Sequence, residues 1–230
     1  MKYSRNILIV VFLMIIGNCN LFAEKHFSSN VAIGGKGGVT FSRVSFSPTV
    51  PQGMLMGTTM GVTFRYIEEK NFGLIAEFNM EQRGWKENFE GKPFSYQRKL
   101  TYLQLPILTH IFFGNSKFKG FFNAGPEVGY MISENTSTNF DVNNILNIDG
   151  FPNTNRNTEQ YKLSISSKFD YGISAGLGME LMSKHKNSFV LEGRFYYGLG
   201  NIFSSHKKDY FSASNSMSIM VTFGYMYRIK

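Results

Sequence analysis

Ten charged residues occupy alternate positions inside apolar or glycine-rich segments, and they are the side chains in this chain most able to do chemistry. They are Lys36, Arg65, Glu77, Glu81, Glu127, Asp170, Glu180, Glu192, Arg194 and Arg228. Two neighbouring carboxylates could act as general acid and base. If all ten share one narrow interior, however, they must be paired, because an isolated buried charge is very costly. We predict this second arrangement, a structural charge network with no catalytic residue.

Metal and cofactor chemistry lacks a comparable set of residues. The four histidines, His26, His110, His185 and His206, lie in unrelated segments. No histidine, cysteine or carboxylate group has the spacing of a metal site. The glycines of residues 34–38 lack the spacing of a phosphate-binding loop. The sequence therefore predicts neither a metal nor a cofactor.

The elements that must position the charged residues are β-strands. In residues 169–181 every odd position is apolar and every even position is small or charged. A helix would mix the two sets on each face, whereas a strand separates them. The same alternation, with more noise in places, predicts eight strands at residues 31–42, 58–67, 72–83, 99–112, 118–132, 169–181, 189–199 and 218–229.

The connections between these predicted strands alternate in length. Short connections are predicted at residues 68–71, 114–117 and 183–188, and long ones at 43–57, 84–98, 133–167 and 200–215. Membrane barrels have this asymmetry, with short periplasmic turns and long extracellular loops. The connection 133–167 mixes asparagines with apolar residues, so it is either a partner site or a surface loop without a partner.

The volume of a barrel decides which face of each strand points inward. An eight-stranded barrel has an interior just wide enough for side chains to fill it. The chain has 23 Phe and 12 Tyr, which would overpack that interior, whereas Gly172, Gly176 and Gly178 suit a crowded one. The apolar face therefore points outward to lipid, and a closed barrel satisfies every backbone group there. We predict an all-β fold, an eight-stranded antiparallel up-and-down transmembrane β-barrel.

The segment 99–113 is the densest apolar stretch after the N-terminus and tests this orientation. Leu103, Leu105 and Ile107 are expected to face lipid, and Tyr102, Gln104, Leu108 and His110 to face the lumen. Pro106 cannot donate a ladder hydrogen bond, so a local bulge or a bound water must accommodate it. Trp85 is expected to be an interfacial anchor where the third strand leaves the membrane.

The N-terminus has the pattern of a secretory signal. Lys2 and Arg5 precede an apolar run, residues 7–16, that is too short to cross a bilayer as a helix. Ala23 is a plausible cleavage point, so we expect a signal peptide at 1–23 and a barrel domain at 24–230. Cleavage there removes Cys19, the single cysteine, although residues 16–19 also loosely resemble a lipidation box.

The formal net charge of +8 falls to +6 when Lys2 and Arg5 are removed with the signal. An exported chain without a basic stripe is not expected to bind nucleic acid. Phosphate-bearing lipid at an outer surface is the more natural electrostatic partner. The expected partners are therefore outer-membrane lipid, including lipopolysaccharide, and other envelope or secretion proteins.

Several segments resemble one known family. The stretch YLQLPIL (102–108) is similar to a signature of the PorT-like outer-membrane β-barrel family of Bacteroidota-type bacteria. Residues 34–42, 74–86, 122–133, 169–181 and 191–202 resemble further strands of that family in the same order. The resemblance covers most of the mature chain. It implies a barrel in the cell outer membrane and no established catalytic motif.

We therefore expect an outer-membrane barrel with a plugged lumen, which is not an enzyme and which acts through its loops or its periplasmic end. One alternative, implied by the resemblance, is an accessory role in type IX protein secretion. A second alternative is a lipid-modifying enzyme, since some outer-membrane esterases place Ser and His on barrel strands. The sequence contains no such paired motif around His110.

Overall fold

The computed structural model describes residues 29–152, 156–183 and 186–229, and this part of the chain contains nine β-strands. They are β1 (Asn30–Ser47), β2 (Gln52–Gly53), β3 (Leu55–Ile67), β4 (Phe72–Glu87), β5 (Tyr96–Gly114), β6 (Phe118–Thr138), β7 (Phe169–Met182), β8 (Asn187–Asn201) and β9 (Ala213–Arg228). Two single-turn 3-10 helices, Ile145–Asn147 and Glu159–Tyr161, lie between β6 and β7. Among these residues no helix is long and apolar enough to cross a membrane. The expected signal peptide and Cys19 lie outside the described residues.

The sheet closes into a barrel because its first and last strands pair. β1 pairs antiparallel with β3 on one side and with β9 on the other. The remaining long strands pair antiparallel with their neighbours in chain order, including β4 with β5. β2 only extends the wall beside the end of β4. The predicted eight-stranded up-and-down barrel is therefore confirmed.

The apolar face of each strand points outward, as the volume argument predicts. In β7, Phe169, Ile173 and Leu177 are exposed on the outside, and Leu177 is 68% exposed. Asp170, Ser174 and Glu180 of the same strand are buried. In β5, Leu105 and Ile107 are exposed, whereas the predicted lumen residues Tyr102, Gln104, Leu108 and His110 are buried.

Inward-facing glycines let the wall close around a crowded interior. A Cβ added to Gly172 would lie 2.2 Å from the carbonyl oxygen of Tyr197, and one on Gly38 would lie 2.0 Å from that of Val221. Real Cβ atoms do not approach backbone atoms this closely. The glycine-rich face therefore belongs inside, as predicted.

The strands extend further than the alternation predicts at the end that carries the long loops, here called the long-loop end. β5 begins at Tyr96 instead of residue 99, and β6 ends at Thr138 instead of residue 132. Outward positions in these extensions are polar, as at Gln97 and Ser137, which pair across the two strands. The backbone ladder continues there, but the apolar–polar contrast that reveals a strand in the sequence does not.

Pro106 lies in β5 without a bulge beside it. The ladder to β4 is interrupted between Gln104 and Ile107, and the ladder to β6 between Pro106 and Thr109. The register is the same on both sides of each interruption, and the bulge of the β5–β6 pair lies between Thr101 and Tyr102. Of the two expected ways to accommodate Pro106, the bulge is wrong, because the ladder simply omits hydrogen bonds where Pro106 and Pro126 lack N–H groups. The bound water stays a prediction.

An apolar cluster, the cap core, fills the long-loop end of the barrel. Its buried residues are Val44, Phe46, Val50, Trp85, Phe89, Tyr96, Leu100, Tyr102, Met131, Ile145, Phe151, Tyr161, Ile202, Phe203 and Phe211. Several come from the predicted loop 133–167, which folds across the barrel opening after β6 ends. A smaller cluster of Ile67, Phe112 and Phe121 lies near the opposite, short-turn end.

Trp85 belongs to the cap core and does not contact lipid. Its side chain is 0% exposed and packs edge-on against Phe46 and Phe203, with ring centroids 5.4 Å and 5.9 Å away. The expected interfacial anchor is therefore wrong. The strand continues past the apolar band, so Trp85 keeps the inward parity of Glu81 and Arg83 and enters the cap.

Candidate functional site

The candidate site is the charge network that crosses the barrel interior between the two apolar clusters. Nearest the short-turn end, Arg65 of β3 donates two hydrogen bonds of 2.8 Å to Glu180 of β7. The hydroxyl of Ser188 donates a further bond of 2.6 Å to Glu180. This bidentate geometry joins opposite walls of the barrel.

Arg194 of β8 forms the centre of the network. Its guanidinium lies 2.7 Å from a carboxylate oxygen of Glu77 and 2.8 Å from one of Glu192. The ammonium of Lys36 reaches Glu77 at 2.6 Å. Two amides complete the shell: Asn79 donates to Glu77 at 2.9 Å, and Asn123 donates to Glu192 at 2.8 Å. This group carries two cations and two carboxylates, so it is close to neutral.

Arg83 forms a third level, nearest the cap core. It pairs with Asp170 at 2.5 Å, and its guanidinium lies between the rings of Tyr102 and Tyr196, 4.1 Å and 4.4 Å from their centroids. Arg83 is not among the network residues predicted from the sequence. Its parity with Glu81 in the same strand was the signal that could have identified it.

Three of the predicted network residues have no ion-pair partner within the described part of the chain. Glu81 and Glu127 are buried but accept hydrogen bonds from Ser218 and Ser174. Arg228 is only half-buried and lies at the short-turn end, where its one side-chain hydrogen bond is to the sulfur of Met182 at 3.7 Å. Arg228 points inward, but its height on the barrel axis leaves it without a hydrogen-bonded carboxylate among the described residues.

The network leaves little empty space. A cavity of about 30 Å³ remains beside Arg65 and Glu192, and it is also lined by Lys36, His110 and Asn123. That volume holds no more than one or two water molecules. With the cap core above and the smaller apolar cluster below, the interior is a plug of side chains.

A second set of ion pairs, not predicted from the sequence, attaches the cap to the barrel. Glu87, at the upper end of β4, accepts bonds from Arg156 at 2.9 Å, from the amide of Gln160 at 2.7 Å and from the hydroxyl of Tyr161. Arg98 pairs with Glu134 and donates to the carbonyl of Leu163 at 2.7 Å. These partners are far apart in sequence, so no local pattern reveals them.

Burial dominates the electrostatics of this attachment, which lies above the apolar band. Desolvation raises the pKa of the Glu87 carboxyl from its usual 4.5, although the bonds from Tyr161, Gln160 and Arg156 oppose that shift. Burial and the neighbouring Glu87 also raise the pKa of the Tyr161 hydroxyl. Both groups are therefore more easily held in their neutral form than in water.

His110 is placed for packing. Its Nδ1 lies 2.7 Å from the amide oxygen of Asn123, and its ring stacks on Phe112 with centroids 5.2 Å apart. No serine hydrogen-bonds to it in the described residues, and no group of three potential metal ligands occurs there. His206 lies in an exposed loop, and His26 and His185 lie outside the described residues.

Comparison with known proteins identifies the family. Residues 22–204 match the model of a family described as outer membrane protein beta-barrel domain. The chain belongs to this family. It is therefore an outer-membrane β-barrel protein, and its short turns are periplasmic while its long loops are extracellular.

Several solved structures are similar to this outer-membrane barrel. Neisserial surface protein A shares 11% identity over 87% of this chain and 99% of its own, with a TM-score of 0.48. OprG from Pseudomonas aeruginosa shares 14% over 87% and 95%, with a TM-score of 0.47. Outer membrane protein W from E. coli shares 13% over 88% and 100%, with a TM-score of 0.40. No curated protein matches the chain.

Proposed function

We propose that this outer-membrane barrel is a sealed, non-enzymatic protein that acts by binding partners at its extracellular cap and at its periplasmic end. The plugged interior carries this proposal. A lumen crossed by the Arg65–Glu180, Arg194–Glu77 and Arg83–Asp170 pairs offers no route for solutes. Binding surfaces must then lie outside the lumen.

The cap supports an interaction role because it is built as a rigid surface. The cap core and the Glu87 cluster hold residues 139–152 and 156–168 against the barrel, yet Leu146 projects outward with 85% exposure. Beside it, Asn143, Asn147 and Lys162 line a cavity of about 340 Å³. Loops that a rigid scaffold holds in place commonly carry recognition.

Planar-bilayer recording tests the sealed lumen. The purified barrel should insert without steady single-channel conductance, while a porin inserted in the same bilayer conducts. A variant with Arg194→Ala and Glu77→Ala should conduct more than the wild-type barrel because it removes side chains from the centre of the plug. Robust conductance by the wild-type barrel contradicts the proposal.

Cations on the outer wall support lipopolysaccharide as a lipid partner. Lys86 and Lys99 lie just above the apolar band on β4 and β5, and their paired residues, Gln97 and Gly84, make them diagonal neighbours on one face. Diagonal side chains of this length can reach a common ligand. The surrounding outward positions, Gln82, Gln97 and Asn135, carry no charge. Phosphate groups of outer-leaflet lipid lie at this height and complement the two lysines.

We also propose that the chain is a PorT-like member of its family and, as a second function, an accessory component of type IX secretion. The Tyr102–Leu108 segment and the Gly-Pro segment of residues 122–133 support the resemblance. Deletion should then reduce export of type IX cargo, and affinity purification should recover secretion components. Unchanged export in the deletion strain removes this second function.

The expectation that the barrel is not an enzyme can be tested on lipid A. His110 bonds to the amide of Asn123, which is not a nucleophile. Mass spectra of lipid A from wild-type and deletion strains should be identical, and an altered lipid A would instead favour a lipid-modifying enzyme. Sequencing the N-terminus of protein from outer membranes checks the proposed signal peptide of residues 1–23.

A further inference from the structure

The periplasmic end of the barrel contains a cavity of about 420 Å³, here called the vestibule. The turns after β3 and β5 and the end of β9 surround it, through residues that include Lys70, Asn115, Ser116, Lys119 and Arg228. Phe112 also lines it, together with Ile67, and both belong to the small apolar cluster that separates it from the charge network. The vestibule is therefore closed toward the lumen and reached from the periplasm.

Among the described residues, no carboxylate lines the vestibule beside its cations, and Glu180, opposite Lys119 in the β6–β7 ladder, is already paired with Arg65. These cations are Lys70, Lys119 and Arg228. Within the described residues none of the three forms an ion pair, whereas Arg65, Arg83 and Arg194 deeper in the barrel all do. Glu68 and Glu69 lie on the same turn as Lys70 but are exposed and outside the cavity lining.

The two half-buried cations, Lys119 and Arg228, make only weak contacts with the described residues. The ammonium of Lys119 lies 4.4 Å from the centroid of the Phe112 ring, and the guanidinium of Arg228 reaches only the sulfur of Met182. A partly desolvated cation gains strongly from a charge-assisted hydrogen bond. Both cations therefore lack a hydrogen-bonded counter-anion among the described residues.

The uncharged groups of the wall add donors. The amide oxygen of Asn115 already accepts bonds from the backbone nitrogens of Lys117 and Phe118, both at 2.9 Å. Its amide nitrogen therefore remains to donate, as does the hydroxyl of Ser116. Cations with neighbouring donors are the arrangement that binds carboxylate or phosphate.

The shape of the vestibule favours the end of a peptide chain over a lipid headgroup as its ligand. Its lining side chains Phe112, Lys119 and Arg228 belong to strands whose apolar outer faces meet lipid, but they project into the barrel mouth. A ligand enters along the barrel axis and stops at Ile67 and Phe112. We propose that the vestibule binds the carboxylate-bearing end of an acidic peptide segment from a periplasmic protein.

Fluorescence anisotropy with labelled hexaglutamate peptide tests this proposal on the full barrel in nanodiscs of uncharged-headgroup lipid at about 50 mM salt. Wild-type barrel should bind the peptide, and should not bind hexaglutamine. Arg228→Gln and Lys119→Gln should each weaken binding by about tenfold or more, because each removes a partly desolvated charge partner. The matched control, Lys207→Gln on an exposed extracellular loop, should bind like wild type.

The two single variants keep the test decisive, because Lys119→Gln can be measured even if Arg228→Gln fails to assemble. Equal binding by wild type and Lys119→Gln overturns the proposal. Displacement of the peptide by inorganic phosphate at equal concentration also overturns it in favour of a phosphate site. The inference rests on the proposed sealed barrel, so conductance is recorded on the same preparations. A silent barrel that fails to bind refutes only the vestibule, whereas a conducting barrel refutes the sealed lumen.

Discussion

Arg194 is the residue that joins the two carboxylates at the centre of the charge network. It contacts both Glu77 and Glu192, and both carboxylates are buried. The contribution of Arg194 to stability depends on the presence of both carboxylates. A buried ion pair can be replaced by apolar residues at little cost in stability. Loss of one charged member, however, leaves the others unpaired in a low-dielectric interior.

Substitution of Arg194 therefore tests the network at the residue scale. We expect Arg194→Ala to lower the free energy of unfolding by about 3–5 kcal/mol, because it leaves uncompensated buried carboxylates. Urea titration of the barrel in vesicles, followed by the fluorescence of Trp85, measures the change. Lys207→Ala provides the exposed control, and Arg194→Met with Glu77→Gln should recover part of the loss. An unfolding free energy unchanged by Arg194→Ala would show that the network is dispensable.

Residue parity could be predicted from the sequence, whereas ion-pair partners could not. Alternation predicts inward parity for all ten charges; in the structure eight of them are buried, and Lys36 and Arg228 are half-buried. It cannot say that Arg65 meets Glu180 or that Glu81 meets a serine, because those contacts depend on the relative heights of distant strands. Alternation is a property of one strand, and pairing is a property of the closed barrel.

At the scale of elements, the extracellular cap is a second, water-facing part of the molecule. Strands continue past the apolar band, and the connection between β6 and β7 folds over them with Ile145, Phe151 and Tyr161 buried. The sequence did not reveal this cap because its outward positions face water and its inward positions are aromatic. Its alternation is short and is broken by loops of irregular structure.

The cap attachment should depend on pH through Glu87. Its pKa is raised in the folded protein, so its stabilising contribution is fully present below pH 4.5 and is lost as the pH rises through the raised value. Hydrogen exchange of residues 139–152 and 156–168 should therefore become faster from pH 4 to pH 7 after correction for intrinsic rates. Glu87→Gln should abolish this pH dependence, and Glu159→Gln, at an exposed position on the same segment, should keep it. A wild-type cap that becomes more protected as the pH rises contradicts the assignment.

At the scale of the whole molecule, carboxylates and the cations of the outer wall point in opposite directions. Carboxylates such as Glu77, Glu127 and Glu180 point into the barrel, while Arg43 and Lys86 are exposed on its outer wall near the extracellular end. The outer wall near the extracellular end therefore presents cations, which would complement anionic lipid, while these carboxylates face away from it. This distribution of charge favours contact between the extracellular end of the barrel and the outer leaflet.

Lipid dependence tests this distribution of charge. Added lipopolysaccharide should raise the thermal unfolding temperature of the barrel in neutral detergent, and dephosphorylated lipopolysaccharide should raise it less. Lys86→Ser with Lys99→Ser should remove most of that difference, because both phosphate-facing cations are lost. Lys207→Ser with Lys208→Ser, on an exposed loop, should preserve it. An equal response of both double variants would show that the lipid does not use this face.

The ladder between β1 and β9 joins residues near the two ends of the described chain, with Ala32 opposite Arg228 and Ser47 opposite Ala213. Until β9 has been synthesised, β1 and β8 each expose an edge of unpaired backbone groups, which hydrocarbon does not tolerate. Loop-closure entropy also makes this contact the last to become favourable. Insertion therefore has to wait for the final strand, and translation products that stop before residue 213 are left outside the bilayer for proteolysis.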